Sequence, residues 1–337
     1  MISMKRETIS IMGAGFHCID IIRSKSIAKN ALGGTAANVT AILSCLGQNA
    51  SFICSDYMGK WGEWLKLEFI RRGINTLVFS TSKIPAPRII EYLNTETAQH
   101  SFQSVCPVCG KKLSRCILPN NNHINDKIIS HAKQANVFFF DRVSPGIKSI
   151  INSHYSGWNY YEPNTFRNYQ AFLDTAKASD IIKFSKSRIH DTYMSRMLND
   201  LQESKARLVI ITMGADGFRF SCREKTGLLC DWITVKPAHI DSILDDTGAG
   251  DWFTAIFLLI FLRQYPHFVE IIDMNILYNI FDISKSVAAL NCGFIGVHDI
   301  FHDLEAENKL KLLLNVDIQN LQEKPLEWGN GCHWCGM

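Results

Sequence analysis

The sequence lacks an apolar run long enough to cross a membrane. Its most apolar stretch covers residues 252–262 and lies between two charged residues, whereas roughly 20 consecutive apolar residues are needed to span a bilayer. We therefore interpret 252–262 as a buried helix. Residues 1–6 lead directly into a strand-like run, unlike the charged and apolar regions of a secretory signal peptide. Together these features favour a cytoplasmic protein without a membrane partner.

An excess of charge of one sign is also missing. The 35 lysines and arginines are nearly balanced by 32 aspartates and glutamates, for a formal net charge of +3. A polycation that binds nucleic acid or anionic membranes would carry a much larger excess, so nucleic acid is not expected as a partner. With 47% hydrophobic and 20% charged residues, the chain can bury a large core, which excludes global disorder.

The cysteines do not form the even set that is typical of a disulfide-bonded scaffold. Eleven of them are scattered along the chain, and without a visible secretory signal this number favours a reducing compartment. The sequence also has neither the GxxxxGK[ST] pattern of a P-loop nor a GxGxxG pattern after its first strand-like run. Both of these nucleotide-binding motifs are therefore excluded.

Short β-rich runs alternate with helical patterns along most of the chain. This alternation predicts right-handed crossovers and a mostly parallel sheet. Residues 136–141 are apolar on both faces, which is typical of a central parallel strand. Residues 88–93 and 99–103 break the alternation, because they form a hairpin that leaves the parallel sheet. We interpret this hairpin as a lid over a site. The length alone allows two average domains or one large α/β domain.

The strongest local motif is DDTGAGD at 245–251, directly before the apolar helix. Its two glycines allow the backbone to approach an anion closely, and the helix start offers free N–H groups and the positive end of the helix dipole. A carboxylate in the first helical turn can reach a hydroxyl bound beside the phosphate. This arrangement suits phosphoryl transfer. The simpler alternative is a turn followed by a helix N-cap.

Further motifs stand in a fixed order around this one. They are GFHCID at 15–20, GGTAANV at 33–39, DYMG at 56–59, RGI at 72–74 and ITMGADG at 211–217. In this order the sequence resembles the ribokinase-like, or phosphofructokinase-B-type, family of carbohydrate and nucleoside kinases over nearly its whole length. The resemblance implies an α/β fold: a three-layer α/β/α sandwich with a mostly parallel central sheet and a small β lid. It also implies one kinase domain over 1–331, with lid elements around 16–35 and 84–120.

The resemblance implies a role for each matching position. A carboxylate would act as general base towards the acceptor hydroxyl, and backbone groups would form an anion hole for the transferred phosphoryl group. The residues at these positions are Asp251 as the base and Gly248, Ala249 and Gly250 as the anion hole. Substrate hydroxyls would be bound by Asp20, Gly34 and Asn38. ATP would lie beside Thr212 and Gly214, and Asp245 matches a position that helps to hold a monovalent cation in many members. Mg²⁺ would accompany ATP.

The sequence departs from the family pattern where Asn-x-x-Glu usually organises Mg²⁺ through water. Here it reads KFSKSR at 183–188. Lys183 is a candidate to bring positive charge to the ATP phosphates, although lysines after a strand are more often solvated. Asp246 replaces the usual hydroxyl residue of the 245–251 motif, either as a compensating metal ligand or as a solvent-facing side chain. Asn164, in the segment EPN at 162–164, is a further candidate.

Two CxxCG pairs are not part of the family pattern. Each places two thiolates on one edge of a tetrahedron, and two such knuckles can form a structural zinc site. We predict this site from the knuckles at 106–116 and 332–335, with the ligands Cys106, Cys109, Cys332 and Cys335 and with Cys116 and His333 in reserve. Two unrelated turns with free thiols are the alternative, as are redox pairs, which normally open a helix.

The sequence thus favours an ATP-dependent kinase that phosphorylates a hydroxymethyl group of a sugar or sugar-like molecule. A nucleoside kinase of the same fold is the first alternative. A ligand-sensing protein with weakened catalysis is the second, favoured by the missing Asn-x-x-Glu and opposed by the intact run at 248–251. The sequence does not identify the substrate, and it leaves open whether the chain forms a homodimer.

Overall fold

The computed structural model describes residues 8–25, 27–94, 96–153, 156–164, 168–240, 242–318 and Cys332. Within these ranges strands and helices alternate for most of the chain. The strands are β1 (Ser10–Ala14), β2 (Cys18–Arg23), β3 (Ala28–Gly33), β4 (Asn49–Met58), β5 (Asn75–Pro85), β6 (Arg88–Asn94), β7 (Gln99–Gln103), β8 (Val137–Phe140), β9 (Trp158–Tyr161), β10 (Ile181–Ser185), β11 (Leu208–Thr212), β12 (Phe218–Cys222) and β13 (Ile233–Val235). The helices are α1 (Thr35–Cys45), α2 (Gly59–Arg71), α3 (Asp126–Gln134), α4 (Pro145–Ser153), α5 (Tyr169–Ala176), α6 (Asp191–Leu201), α7 (Ala249–Gln264), α8 (Met274–Asn291) and α9 (Leu304–Leu314).

The described strands of the larger sheet follow the order β13-β12-β11-β10-β9-β8-β1-β4-β5. All neighbours from β11 to β5 pair in parallel, and only β12 and β13 pair antiparallel at one edge. The predicted mostly parallel sheet is therefore confirmed. Because the parallel strands run in one direction, their carboxyl ends meet at a single edge of the sheet, where ligands bind in open α/β sheets.

Helices cover both faces of this sheet and make it the middle of three layers. Strand β8 shows the division, because its successive side chains point to opposite faces. Val137 and Phe139 pack with the buried residues of α1, α2, α7, α8 and α9. Phe138 and Phe140 pack instead with the buried residues of α3, α4, α5 and α6. The strand is thus apolar on both faces, as the sequence predicts, and the three-layer α/β/α sandwich is confirmed.

Helix α7 contains the apolar stretch 252–262 and is buried along almost its whole length. None of the helices in the described ranges is long and apolar enough to cross a membrane. The side chain of Trp252 fixes the N-terminal turn of α7, because its Nε1–H donates to the Val297 carbonyl at 2.7 Å and its ring contacts Phe301.

A second, smaller sheet has the order β3-β2-β6-β7. Strands β6 and β7 form the predicted antiparallel hairpin. Strand β2 pairs in parallel with β6 and antiparallel with β3. The small β lid of the expected fold is therefore present, and its strands fall within the ranges given for the lid elements. The boundary of the kinase domain at 1–331 stays a prediction.

The GFHCID segment at 15–20 connects the two sheets. Strand β1 ends at Ala14, and Gly15 then turns with φ of +138°. A Cβ atom at Gly15 would lie 1.9 Å from an Asp141 carboxylate oxygen, so only glycine fits the turn. The chain then enters β2, which places Asp20 in the small sheet.

Replacing Trp252 by phenylalanine keeps an aromatic ring in the core but removes the Nε1–H donor. The buried Val297 carbonyl then loses its partner, so we expect the free energy of unfolding to fall by about 1–3 kcal/mol. Chemical denaturation measures this change. Leu312→Ala is the control, because Leu312 is 86% exposed and should change stability by no more than about 0.5 kcal/mol. An unchanged stability of the Trp252 variant would contradict the assigned contact.

Candidate active site

The site residues expected from the sequence gather at the carboxyl edge of the larger sheet and under the small sheet. The loop 245–251 enters α7 there. Gly248 has φ of +81°, and a Cβ atom on it would lie 2.7 Å from Val297 Cγ2. Both conditions require glycine at 248. The space around Gly250 is open, since a Cβ atom there would meet only Lys183 Nζ at 3.7 Å. Gly250 therefore leaves room for a ligand beside the first turn of α7.

The carboxylate of Asp245 holds this loop in shape. It is fully buried. One oxygen accepts from the Thr247 N–H at 2.9 Å and the other from the Gly296 N–H at 2.8 Å. Asn291 adds a hydrogen bond from its Nδ2 to the Thr247 carbonyl at 3.0 Å. Asp245 therefore has a structural function in this loop, and its expected contact with a monovalent cation stays a prediction.

Asp251 lies in the first turn of α7, with its carboxylate buried. Asn38 Nδ2, from α1, donates to Asp251 Oδ2 at 2.7 Å. Asn38 is itself oriented by His298, whose Nε2 lies 3.3 Å from the Asn38 Oδ1. Burial, and then the nearby Glu162, raise the pKa of Asp251 to about 6. The structure thus brings the expected base and one expected substrate ligand into direct contact.

Asp20 and Glu91 form a second pair of buried carboxylates, one on β2 and one on β6. The register pairs Asp20 with Ile89 and Ile22 with Glu91, so both side chains leave the same face of the small sheet. Burial, followed by the charge of Glu91, raises the pKa of Asp20 to about 7. Glu91 accepts from Thr247 Oγ1 at 2.8 Å, and burial raises its pKa. Sequence reasoning does not find Glu91, because this residue lies on a strand far from the motifs.

Gly34, the third expected substrate ligand, connects β3 to α1 with φ of +93°. A Cβ atom there would lie 2.4 Å from the Phe16 carbonyl oxygen. Close approach of the two backbones therefore explains this glycine, and its contact with a substrate stays a prediction. The neighbouring Gly33 leaves space for the Asp20 carboxylate, which a Cβ atom would overlap at 2.0 Å.

Lys183 is buried, and the interpretation of a solvated lysine is therefore wrong. Its Nζ contacts the Glu162 carboxylate and donates to the Gly250 carbonyl at 3.2 Å. The second oxygen of Glu162 accepts from Thr254 Oγ1, in the second turn of α7, at 2.7 Å. An ammonium group does not bind a metal ion, so these residues do not fit a magnesium ion organised by the protein at this position. A buried ion pair next to the base stands there instead.

Asp141, at the carboxyl end of β8, was not assigned a function from the sequence. One carboxylate oxygen accepts from the Phe16 N–H at 2.7 Å, and the other accepts from Asn164 Nδ2 at 2.7 Å. Burial raises the pKa of Asp141 to about 7. The side chain thus connects the segments that follow β1, β8 and β9. In this structure Asn164 supports that connection.

Thr212 and Gly214, the residues expected beside ATP, stand at the carboxyl end of β11. Strand β11 pairs with β10, the strand of Lys183. Thr212 Oγ1 donates to the Phe184 carbonyl at 3.4 Å, and Gly214 has φ of +58° with open space around it. Both residues lie at the same sheet edge as Lys183. Their contact with a nucleotide stays a prediction.

His100, on β7, connects the small sheet to the loop 245–251. Its Nδ1 lies 3.1 Å from Asp246 Oδ1 and 3.2 Å from Thr247 Oγ1. The hydrogen bond with Asp246 raises the pKa of His100 and lowers the pKa of Asp246. Asp246 is therefore paired with His100, although its side chain is largely exposed. The sequence could not show this contact, because 146 positions of chain separate the two side chains.

No family model matches the sequence, and no curated protein matches it. Solved structures do match. Adenosine kinase from Sinorhizobium meliloti has a TM-score of 0.67 at 17% identity, with 86% of this chain and 96% of that chain covered. Ribokinase from Giardia lamblia has a TM-score of 0.66 at 15% identity, with 86% and 95% covered. Fructokinase from Xylella fastidiosa with bound ATP has a TM-score of 0.65 at 17% identity, with 85% and 93% covered. The chain therefore has the ribokinase-like fold of carbohydrate and nucleoside kinases.

The contact of His100 with Asp246 should make the stability of the protein depend on pH. The raised pKa of His100 means that its contribution is complete below about pH 6.5 and is lost as the pH rises through the raised value. The lowered pKa of Asp246 means that its contribution is complete above about pH 4 and is lost at lower pH. Asp245 and Glu91 also face His100 and add to the raised pKa.

This expectation is checked by measuring the thermal midpoint of three proteins from about pH 5 to 9: the wild type, His100→Gln and Asp246→Asn. The range brackets the ordinary histidine pKa of about 6.5. The wild type should exceed each variant most at the acidic end, and the differences should shrink as histidine loses its proton. Differences that stay constant with pH would contradict the ion pair.

Proposed function

We propose that the protein is an ATP-dependent phosphotransferase that phosphorylates a hydroxymethyl group of a sugar or sugar-like alcohol. The observation that carries this proposal is the buried Asp251 carboxylate in the first turn of α7, directly behind a glycine loop that is open at Gly250. The structural similarity to sugar and nucleoside kinases supports it at the level of the fold. The odd number of scattered cysteines favours a reducing compartment, and we place the enzyme in the cytoplasm on this ground.

Asp251 would take the proton from the acceptor hydroxyl. Its pKa of about 6 leaves the carboxylate ionised at neutral pH and still basic enough to bind a proton in the transition state. A general base works best when its pKa lies near the working pH. The hydrogen bond from Asn38 fixes the orientation of the carboxylate, so that proton transfer needs no side-chain rotation.

The first turn of α7 would receive the charge of the transferred phosphoryl group. The first N–H groups of a helix have no partner within the helix, and the helix dipole favours an anion there. The Ala249 N–H donates to the Asp246 carbonyl at 3.3 Å. Of the three expected anion-hole residues, Gly248 and Gly250 are therefore the stronger candidates, and the space around Gly250 is open. Donors placed in this way typically contribute on the order of 10²–10³ in rate.

We place Lys183 as a positioning residue rather than as a direct ligand of ATP. Its Nζ donates to the Gly250 carbonyl and contacts Glu162, and its charge lowers the pKa of Asp251 against the effects of burial and of Glu162. The lysine thus holds the turn that carries both the anion hole and the base. ATP would lie at the sheet edge beside Thr212 and Gly214, with its Mg²⁺ bound through its own phosphates.

The substrate would lie between the loop 245–251 and the small sheet. Asp20, Glu91 and Asn38 offer carboxylate and amide groups there, which pair with the hydroxyls of a polyol. All three are buried. Buried polar groups that lose their partners cost free energy, so this wall favours a ligand rich in hydroxyl groups. A homodimer through the small sheet is compatible with this arrangement and stays a prediction.

A nucleoside kinase is the second candidate, and one side chain favours it. Phe102 pairs with Glu91 across the hairpin. Its ring therefore lies on the same face of the small sheet as the side chains of Glu91 and His100. The ring is 49% exposed and could stack on a base. ADP release from ATP with a panel of sugars and nucleosides distinguishes the two candidates. A thermal-shift screen identifies the ligand first, because a ligand at 100 times its Kd stabilises by about 2.7 kcal/mol.

Replacing Asp251 by asparagine should reduce kcat on the identified substrate by at least about a hundredfold, the usual cost of losing a general base. Asparagine keeps the size of the side chain but cannot accept the proton. Asp282→Asn is the matched control, because this carboxylate is 67% exposed on α8 and is not part of the loop 245–251; its kcat should change much less. An Asp251 variant with a near-wild-type rate would refute the assignment of the base.

A further inference from the structure

Three cysteines converge beside the small sheet, away from the proposed active site. Cys106 and Cys109 follow β7, in a tight turn where the Cys106 N–H donates to the Lys111 carbonyl and the Gly110 N–H to the Cys106 carbonyl, both at 2.9 Å. Gly110 has φ of +68°, so the turn needs this glycine. Cys332 reaches the same place from 226 positions later in the chain.

The sulfur atoms stand at distances that suit a shared metal ion. The Sγ atoms of Cys106, Cys109 and Cys332 all lie within 4.8 Å of one another, and Cys106 and Cys332 are 3.9 Å apart. A disulfide would bring two sulfurs to about 2.05 Å. Two thiolates bound tetrahedrally to one zinc ion at about 2.3 Å lie about 3.8 Å apart. The observed distance thus matches two ligands of one zinc ion.

The surroundings of the three sulfurs also fit a structural metal site. Cys106 is buried in a small apolar cluster with Ile21, Ile90 and Leu113, and Cys332 packs against this cluster. Cys109 stays exposed, which leaves an entry for the ion. Cys116, the reserve ligand of the sequence analysis, lies against His17 Nδ1 at 3.3 Å instead and is not one of the three. Cys335 and His333 lie outside the described residues.

We propose that Cys106, Cys109 and Cys332 bind a structural zinc ion, and that this ion attaches Cys332 to the small sheet. Zinc prefers four tetrahedral ligands, and thiolates are its usual ligands in structural sites. Cys335, three positions after Cys332, completes the CxxCG pair in sequence, and its part in the site stays a prediction from the sequence alone. Each thiol releases its proton to solvent when it binds the ion. No redox step is involved.

The proposed zinc site lies directly after β7, so a bound ion would restrict the movement of the β6–β7 hairpin. Cys106 stands three residues after the end of β7, and β7 carries His100, which contacts the loop 245–251. A metal that fixes the turn at 106–110 therefore also restricts the hairpin. Because metal binding and folding are coupled in such sites, removal of the ion should loosen β6 and β7 before it affects the central strands.

Metal analysis of the purified protein tests the proposal without any substrate. Mass spectrometry of metal content should find about one zinc per chain, as expected for a single site with four ligands. The variants Cys106→Ser and Cys332→Ser should lose most of this zinc. Cys230→Ser is the matched control, because Cys230 is half-buried and distant in sequence from both pairs, and it should keep the ion.

Two measurements on the wild-type chain keep the test valid if a variant fails to fold. Protein stripped with a chelator under reducing conditions and titrated with Co²⁺ should develop the charge-transfer and ligand-field bands of a tetrahedral thiolate complex. Hydrogen exchange should be faster in β6 and β7 of the stripped protein, with β8 and β11 unchanged. Protein that contains no zinc and binds neither Zn²⁺ nor Co²⁺ would overturn the proposal, as would a disulfide between Cys106 and Cys332 or full zinc content in both cysteine variants.

Discussion

The two backbone hydrogen bonds accepted by the buried Asp245 carboxylate fix the loop on which the rest of the site depends. They join Thr247 to Gly296, and so they set where the chain enters α7. That entry decides the position of Gly250, of Asp251 and of the contact with His100. A carboxylate whose two oxygens each accept an N–H is held in one orientation, and charge-assisted hydrogen bonds of this kind are among the strong ones.

Several buried carboxylates meet around this loop, and burying a charged carboxylate costs free energy. Burial accordingly raises the pKa values of Asp20, Glu91 and Asp251. The positive charge of Lys183 partly reverses the pKa shift of Asp251. Near Asp20 and Glu91 the offset comes from Thr247 and Cys18, which donate to the two carboxylates. A cluster of perturbed carboxylates in one place is typical of a functional site.

The small sheet is connected to the site by side chains from two of its strands. Glu91 on β6 and His100 on β7 both contact the loop 245–251, and the turn after β7 carries the cysteine cluster. These side-chain contacts add to the pairing of β6 with β2 in the four-stranded sheet. Together they give the hairpin a defined position beside the loop 245–251.

The sequence by itself determined the mostly parallel sheet, the buried helix after 245–251, the hairpin at β6 and β7, and the order of the motifs that resemble the ribokinase-like family. These are local signals: strand β8 is apolar on both faces, and the glycines of the loop precede the helix directly. Only the tertiary structure decided that β2 leaves β1 at Gly15, that Lys183 is buried against Glu162, and that Glu91 and His100 reach Thr247. It also decided that Cys332 meets Cys106. Each of these contacts joins side chains that are distant in sequence or that belong to different sheets. Periodicity and spacing report which face of an element is apolar, but they do not report which distant element packs against that face.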